Sequence, residues 1–468
     1  MSAAALKPKR VLVIGGGPTG LVALRNLIER GQFEHVELVE RRDDIGGVWY
    51  LDNPAHSTDS ESPRWPSPAY PGLVGNVLPE FLSFSQYPFP EPPSAPNQPF
   101  PTLTETHDYL HSFAEPYVKS GVIRLSTDVV RVEELVDGRW KASLRDWSTS
   151  GKGKEVEETW DAVVVAVGWY DNPVWPQTHG LEELKSKGLA KHAKWWRGPR
   201  GHEGKRVLVV GNANSSNDMA AQLAPLADTP VYQSIRREAF HSFVSLSDER
   251  ISMVAPVAKY ILKSTTDGDK FDVTLTDGKE LKDFDTVWIG TGYKPHPNFI
   301  HVLDPSDKIK SKHVSLTAES TSHTRVPWLH RFILYAYNPS LAFIGAPMVY
   351  TPFTIADLVS TWLSLAWRGE IAYPDTAEGR LVFEKERIDF IDKWRAEMDN
   401  PSSLMVFSVL GPDEEEYGRA LKAEIVDARP ELKNILTEWS EERTKLRETT
   451  YPLKYKALVW TRDQQSKH

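Results

Sequence analysis

The chain contains no cysteine. That absence excludes a disulfide framework, a CxxC redox centre, thiolate-ligated zinc or iron–sulfur, and a cysteine nucleophile. It also fits a reducing compartment. No apolar run approaches the roughly 18 residues that cross a bilayer; the longest good stretch lies near Ala162–Tyr170. Positive charge is not in excess. The 55 Lys and Arg stand against 64 Asp and Glu, a net charge of −9. A mildly acidic chain argues against nucleic acid or an anionic membrane as its main partner. The opening MSAAALKPKR leads straight into a strand pattern, without the apolar stretch of a signal peptide. A soluble, cytoplasmic protein is expected, a monomer or homodimer, without a metal site.

What is present suits a globular enzyme. The 468 residues are 40% hydrophobic and 25% charged. That is enough chain to bury two or three cores. Five short runs rich in Val and Ile read as buried strands: Val11–Ile14, Val36–Val39, Ala162–Val167, Val207–Val210 and Thr286–Ile289. Helical patterns follow, as at Leu21–Glu29 and Asp218–Leu226. Alternating strands and helices imply an α/β protein with parallel sheets. Residues 54–101 hold thirteen of the chain's 34 prolines, too many for sustained helix or sheet. Aromatics in that stretch, among them Trp65, Tyr70, Phe81, Phe84, Tyr87 and Phe89, predict a covering loop that packs on the rest. From about Pro352 the pattern is helical.

Two segments carry nucleotide chemistry. Residues 11–20 read VLVIGGGPTG, a strand running into Gly15-x-Gly17-x-x-Gly20 and then a helix. This arrangement sets a tight turn, lets the backbone approach a pyrophosphate, and packs helix on strand. A second strand ends in Glu40, placed to accept hydrogen bonds from a ribose diol and to repel a 2′-phosphate. The site should therefore take FAD or NAD. Residues 207–216 read VLVVGNANSS, the same design with Gly211, Ala213 and Ser216. Glu40 lies 25 residues after Gly15, and the residue 25 after Gly211 is Arg236, followed by Arg237. Where the first site has an acid, the second has a cation pair that suits the 2′-phosphate of NADPH. Two such sites imply an electron path from NADPH through a flavin. With no thiol to relay electrons, O2 is the simplest acceptor.

At these residues the chain resembles the flavin-containing monooxygenases, the class B single-chain oxygenases. Gly46-Gly47-Val48-Trp49 is similar to their GGxW motif beside the flavin. The stretch from Gly188 through His192 and Trp196 to Arg197 resembles their fingerprint before the NADPH motif. Thr291-Gly292-Tyr293 resembles the ATGY-type return segment. The resemblance further assigns Pro18, Thr19, Arg41 and Val130 to cofactor contact, and Asn212 and Ser215 to the second site. It implies two nested Rossmann-like domains: an FAD-binding part, 1–176 and 300–468, and an NADPH-binding insertion, 177–299.

Ser67-Pro68-Ala69-Tyr70 through Gly75-Asn76, then Tyr87-Pro88-Phe89-Pro90, resembles the family segment that bears an active-site asparagine. Asn76 and His192 are thus the candidate catalytic residues, with His192 equally a fastener of the linker. The usual Thr beside the asparagine is Gly75. The implied reaction forms a C4a-hydroperoxyflavin and passes its distal oxygen to a soft nucleophile, an amine or indole nitrogen or a thioether sulfur. Trp196 favours the alternative of Baeyer–Villiger oxygenation of a ketone, whereas Pro54 and Ala55 depart from that branch's longer motif. Ala213, Ser216 and Gly75 motivate a third reading, a dinucleotide-binding regulator whose oxygenase site has decayed. The segment Pro352–Trp362, with Asp357 and Val359, resembles a family helix with a shortened acid; it reads equally as core packing.

Overall fold

A computed structural model describes residues 7–52, 64–237, 244–265, 268–307, 309–317, 323–398 and 406–465. Pro54 and Ala55 lie outside the described residues. Four of the five expected strands shift by one or two residues at an end, and Thr286–Ile289 is as expected. Ala162–Val165 ends two residues early. There the chain turns away as the Ala166 carbonyl abuts Gly15, and Val167 is already exposed.

The first sheet has seven strands. Arg10–Ile14 lies between His35–Val39 and Ala162–Val165, all parallel, with Val11 opposite Val36 and Ala162. Ile123–Arg124 extends one side and Leu341–Phe343 the other, with two short antiparallel strands beyond. The second sheet is five-stranded and wholly parallel. Arg206–Val210 sits between Asp228–Ser234 and Thr286–Ile289. Apolar residues on both faces explain why these strands show as unbroken Val/Ile runs.

Two further sheets are antiparallel or mixed, and sequence reading did not resolve them. Val257–Thr265, Gly268–Leu275 and Glu280–Phe284 form a meander. Thr127–Glu134, Trp140–Asp146 and Lys154–Trp160 pair with Ile300–Leu303 and His313–Ser315. Their half-exposed, charge-rich faces hide the apolar signal. Chain segments before residue 166 and after 300 thus share sheets, while 190–289 builds sheets of its own.

The first helix spans Pro18–Asn26, three residues earlier than its apolar pattern, because Pro18 sits at the first helical position. It then widens into a π-turn, Leu27–Gly31. Arg25 and Arg30 are five residues apart, roughly 140° around an ideal α-helix. The wider turn lets both reach Asp357 on the helix Pro352–Arg368, at 2.7 and 3.1 Å. Asn26 and the backbone N–H of Ser85 also donate to this carboxylate, at 2.9 and 2.7 Å. Asp357 is fully buried; burial alone would raise its pKa, but the two arginines hold it below the ordinary carboxylate range.

The proline-rich segment, where described, packs aromatic side chains against the rest of the chain. Phe84 stacks on Phe353 and Phe89 on Tyr109. Tyr109 lies on Leu103–Lys119, a helix started by a capping box between Thr102 and Glu105. The C-terminal third is helical: Pro352–Arg368, Ala377–Ala396, Glu414–Ala428 and Glu441–Gln465.

Asp357→Asn keeps the shape of the carboxylate and removes its charge, stranding two buried guanidinium groups. It should lower unfolding stability by about 3–5 kcal/mol, read from urea denaturation, and Asp357→Ala should be no milder.

Candidate active site

The Gly15–Gly20 turn is built by contacts that admit no side chain. A Cβ on Gly20 would lie 1.8 Å from the Gly15 carbonyl oxygen. Gly17 faces Gly47, and a Cβ on Gly47 would lie 2.8 Å from the Gly17 Cα. Gly47 also holds a left-handed φ of 58°. The two glycine motifs, separate in sequence, are therefore one surface. The Gly46 N–H donates to the Gly16 carbonyl at 2.9 Å and fixes their register.

Glu40 follows the second strand and is buried. One carboxylate oxygen accepts from the Gly16 N–H at 2.6 Å, the other from the Arg42 N–H at 3.0 Å. The acid thus braces the glycine turn, and each oxygen keeps a second acceptor direction for a diol. Arg41 forms a two-pronged pair with Asp171, at 2.8 and 3.0 Å. Lys194 also donates to Asp171, at 2.9 Å. These two cations hold the Asp171 pKa far below its ordinary value, against the effect of burial.

A cavity of about 720 Å³ opens from this turn, within the usual size of a cofactor or ligand site. Gly15, Gly17, Pro18, Thr19, Glu40 and Arg41 line one end, with Gly47, Val48 and Trp49 beside them. Val130 lines it from a strand irregularity between Val129 and Arg131. Asn76 lines it too, on an exposed turn. Gly20 lies beneath the turn and does not reach the cavity.

Three residues that sequence reading missed hold the Asn76 turn. Lys454, buried on the last helix, donates to the Gly75 carbonyl at 2.6 Å. Burial lowers its pKa to about 8, and the charge of Asp218 offsets part of that effect. Asp218, on the helix Asn214–Leu223, accepts from the Tyr70 hydroxyl. Burial raises the pKa of both groups in that bond. A lysine in a polar C-terminal helix gave no pattern to find. The room at Gly75 is narrow: a Cβ there would lie 3.1 Å from the Pro101 carbonyl oxygen and 3.7 Å from the Trp49 ring.

The second turn repeats the first with a compensation. Gly211 keeps a φ of 126°. Ala213 is extended, φ −114° and ψ 177°, so its backbone makes no demand for glycine. Ser216 takes the close-packing place and donates to the Gly290 carbonyl at 3.2 Å. A Cβ on Gly290 would lie 2.0 Å from the Ser216 oxygen. Asn212 donates to the Arg237 carbonyl at 3.1 Å. Arg236 is exposed just past the strand Asp228–Ser234. Gly211, Asn212, Ala213, Ser215 and Ser216 lie outside the large cavity, as do both arginines; the adjoining Asn214 touches it.

The two connections between the sheets run side by side. The Val174 N–H donates to Gly292 at 2.9 Å, Thr291 donates to Val174 at 2.5 Å, and Lys294 donates to Asn172 at 3.0 Å. Tyr293 closes on Tyr170 and on His192. His192 is sealed among Trp175, Trp195 and Tyr293, away from the cavity. Its Nδ1 accepts from the Lys194 N–H at 3.1 Å, so the neutral ring carries its proton on Nε2. Burial pulls its pKa down to about 4. Of its two readings, this placement suits the fastener. Trp196 is fully buried against Trp288 and donates to Gln222 at 3.1 Å; it faces the second core and not the cavity.

A histidine held neutral in the fold resists protonation until after the unfolded chain has taken its proton. Stability is therefore full above about pH 6.5 and declines toward pH 4, by up to about 3 kcal/mol for His192. His330, lowered to about 4 by the same cause, adds a second contribution. Urea denaturation across this pH range should show a slope shallower by about one proton in His192→Gln than in the parent.

Comparison with known proteins agrees with this construction. A flavin-containing monooxygenase of Arabidopsis thaliana, FMO GS-OX-like 2, is 29% identical over 381 residues, covering 79% of this chain and 76% of its own. A thiol-specific monooxygenase of Saccharomyces cerevisiae is 28% identical over 355 residues, 75% of each chain. Among solved structures, the S-allyl-L-cysteine S-oxygenase of Allium sativum superposes with a TM-score of 0.73 at 24% identity, covering 98% of both chains. The family model described as flavin-binding monooxygenase-like matches residues 8–245. That match spans just over half the chain, and the chain belongs to the flavin-binding monooxygenase-like family.

Proposed function

We propose that the protein is an NADPH- and O2-dependent monooxygenase that oxygenates a small molecule at a soft nucleophile, a sulfur ahead of an amine nitrogen. The family's cofactors are FAD and NADPH, and the residues fit them. The side-chain-free Gly17–Gly47 surface, the helix start at Pro18 and the braced Glu40 would hold FAD. The second turn with Arg236 and Arg237 would hold NADPH. Sheet membership supports taking 1–176 with 300–468 as the FAD-binding part and 177–299 as the NADPH-binding insertion.

The flavin chemistry that these residues would hold is supply of an activated oxygen atom once NADPH has reduced the cofactor. One atom of O2 enters the product and the other leaves as water, with NADPH providing the two electrons. The chain's own contribution is placement and exclusion of water. The observation that carries the reading is Asn76 on the wall of the cavity that begins at the glycine turn. Its amide both donates and accepts, so it can orient the reacting atoms without titrating. Leu82, Val349 and Phe353 line the neighbouring wall and exclude water. Tyr350, raised to about 12 by burial, stays a phenol that donates and does not act as a base. Lone-pair attack by sulfur or nitrogen needs no base. The relative named for thiol oxygenation supports sulfur as the first target.

Anaerobic stopped-flow reduction with NADPH and with NADH, followed by sulfide and amine turnover, tests this reading. Sulfoxide formed in step with NADPH use is the expected result. Failure to bind flavin or to oxidise NADPH would overturn it and favour the regulator. Asn76→Ala should leave flavin reduction intact and cut product per NADPH by about tenfold or more, with peroxide rising in its place. Arg236→Ala should reduce the preference for NADPH over NADH by roughly 10- to 100-fold, the worth of one charge-assisted phosphate contact.

A further inference from the structure

Three side chains outside the cavity converge on one point. Asp44 lies two residues before the Gly46–Gly47 turn. His107 and His111 lie one helical turn apart on Leu103–Lys119 and so share a face. The His111 Nε2 is 2.7 Å from one Asp44 oxygen and 2.9 Å from the other. The His107 Nε2 is 3.3 Å from Asp44 Oδ2. The three potential ligand atoms all lie within 4.8 Å of one another.

We propose that Asp44, His107 and His111 form a binding site for one divalent transition-metal ion of the zinc class. The donor set is two imidazoles and one carboxylate, which suits zinc and its neighbours; calcium and magnesium prefer all-oxygen sites. Ligands about 2.0–2.2 Å from a tetrahedral ion stand roughly 3.3–3.5 Å apart. The His107–Asp44 separation already has this value, and His111 would draw back from Asp44 by roughly half an ångström to admit the ion. Asp44 is held in place because its Oδ1 accepts from the Ile45 N–H at 2.8 Å. His107 is fixed by packing on Gly46, where a Cβ would lie 2.9 Å from the ring. His111, half exposed, leaves an entry from solvent and a fourth position for water.

The ion would tie the helix to the loop that carries Gly46 and Gly47. Occupancy should therefore stabilise the folded flavoprotein by linkage. It has no part in the oxygenation reaction, and the site stands whether or not the proposed function does.

The test is calorimetric titration of tag-free, full-length protein with Zn2+, with Mg2+ as control, alongside thermal unfolding with and without Zn2+. Expected are one ion per chain with micromolar affinity, no response to Mg2+, and a raised unfolding temperature. His111→Ala changes an exposed residue and should fold; it and Asp44→Asn should each weaken Zn2+ binding by about tenfold or more. Binding of millimolar strength or weaker, or equal binding in both variants, would overturn the proposal and leave the cluster a hydrogen-bonded clamp.

Discussion

The buried carboxylate of Asp357 is the junction on which the site's frame depends. It gathers Arg25, Arg30 and Asn26 from the first helix and its π-turn, and Ser85 from the covering loop, onto the helix Pro352–Arg368. The helix that meets the glycine turn, the loop that carries Asn76, and the C-terminal helices are thus held at one point. A lone buried charge would be unfavourable, but here the carboxylate is paired with two arginines and accepts four hydrogen bonds. The π-turn belongs to the same solution, since a regular α-helix would point Arg25 and Arg30 apart.

A second constraint is the close approach of backbones. Gly17 against Gly47 and Ser216 against Gly290 are both contacts between residues far apart in sequence. In each, space for a side chain is refused on one partner because of the other. At the second turn the missing glycine of the motif has moved: Ser216 carries the extra atoms, and Gly290 carries none. The motif read along the chain looks degraded, yet in space the packing is conserved in kind.

What the sequence disclosed follows from the range of the interactions. The five buried strands are apolar on both faces, so their runs were plain. The glycine turns with Glu40 and Arg236 are local patterns of fixed spacing, so both turns could be located along the chain. The meander at Val257–Phe284 alternates exposed charges with a single buried face, and it did not show. Lys454, Tyr70 and Asp218 meet across almost the full length of the chain, and nothing near any one of them announces the others. Asp357 was noticed through a family pattern, whereas its partners were not. The cluster of Asp44 with His107 and His111 escaped because its ligands split between a loop and a helix.

The paired connections have a mechanical consequence. Val174 with Gly292, Thr291 with Val174 and Lys294 with Asn172 form a short zipper between the two crossings of the chain. Such a ladder strongly opposes sliding, which would break every rung together. It opposes rotation about its own length only weakly, because rotation strains the rungs without parting them. The zipper therefore fixes the register of the two crossings, and any swing about it would have to part the Tyr70–Asp218 and Lys194–Asp171 bonds as well.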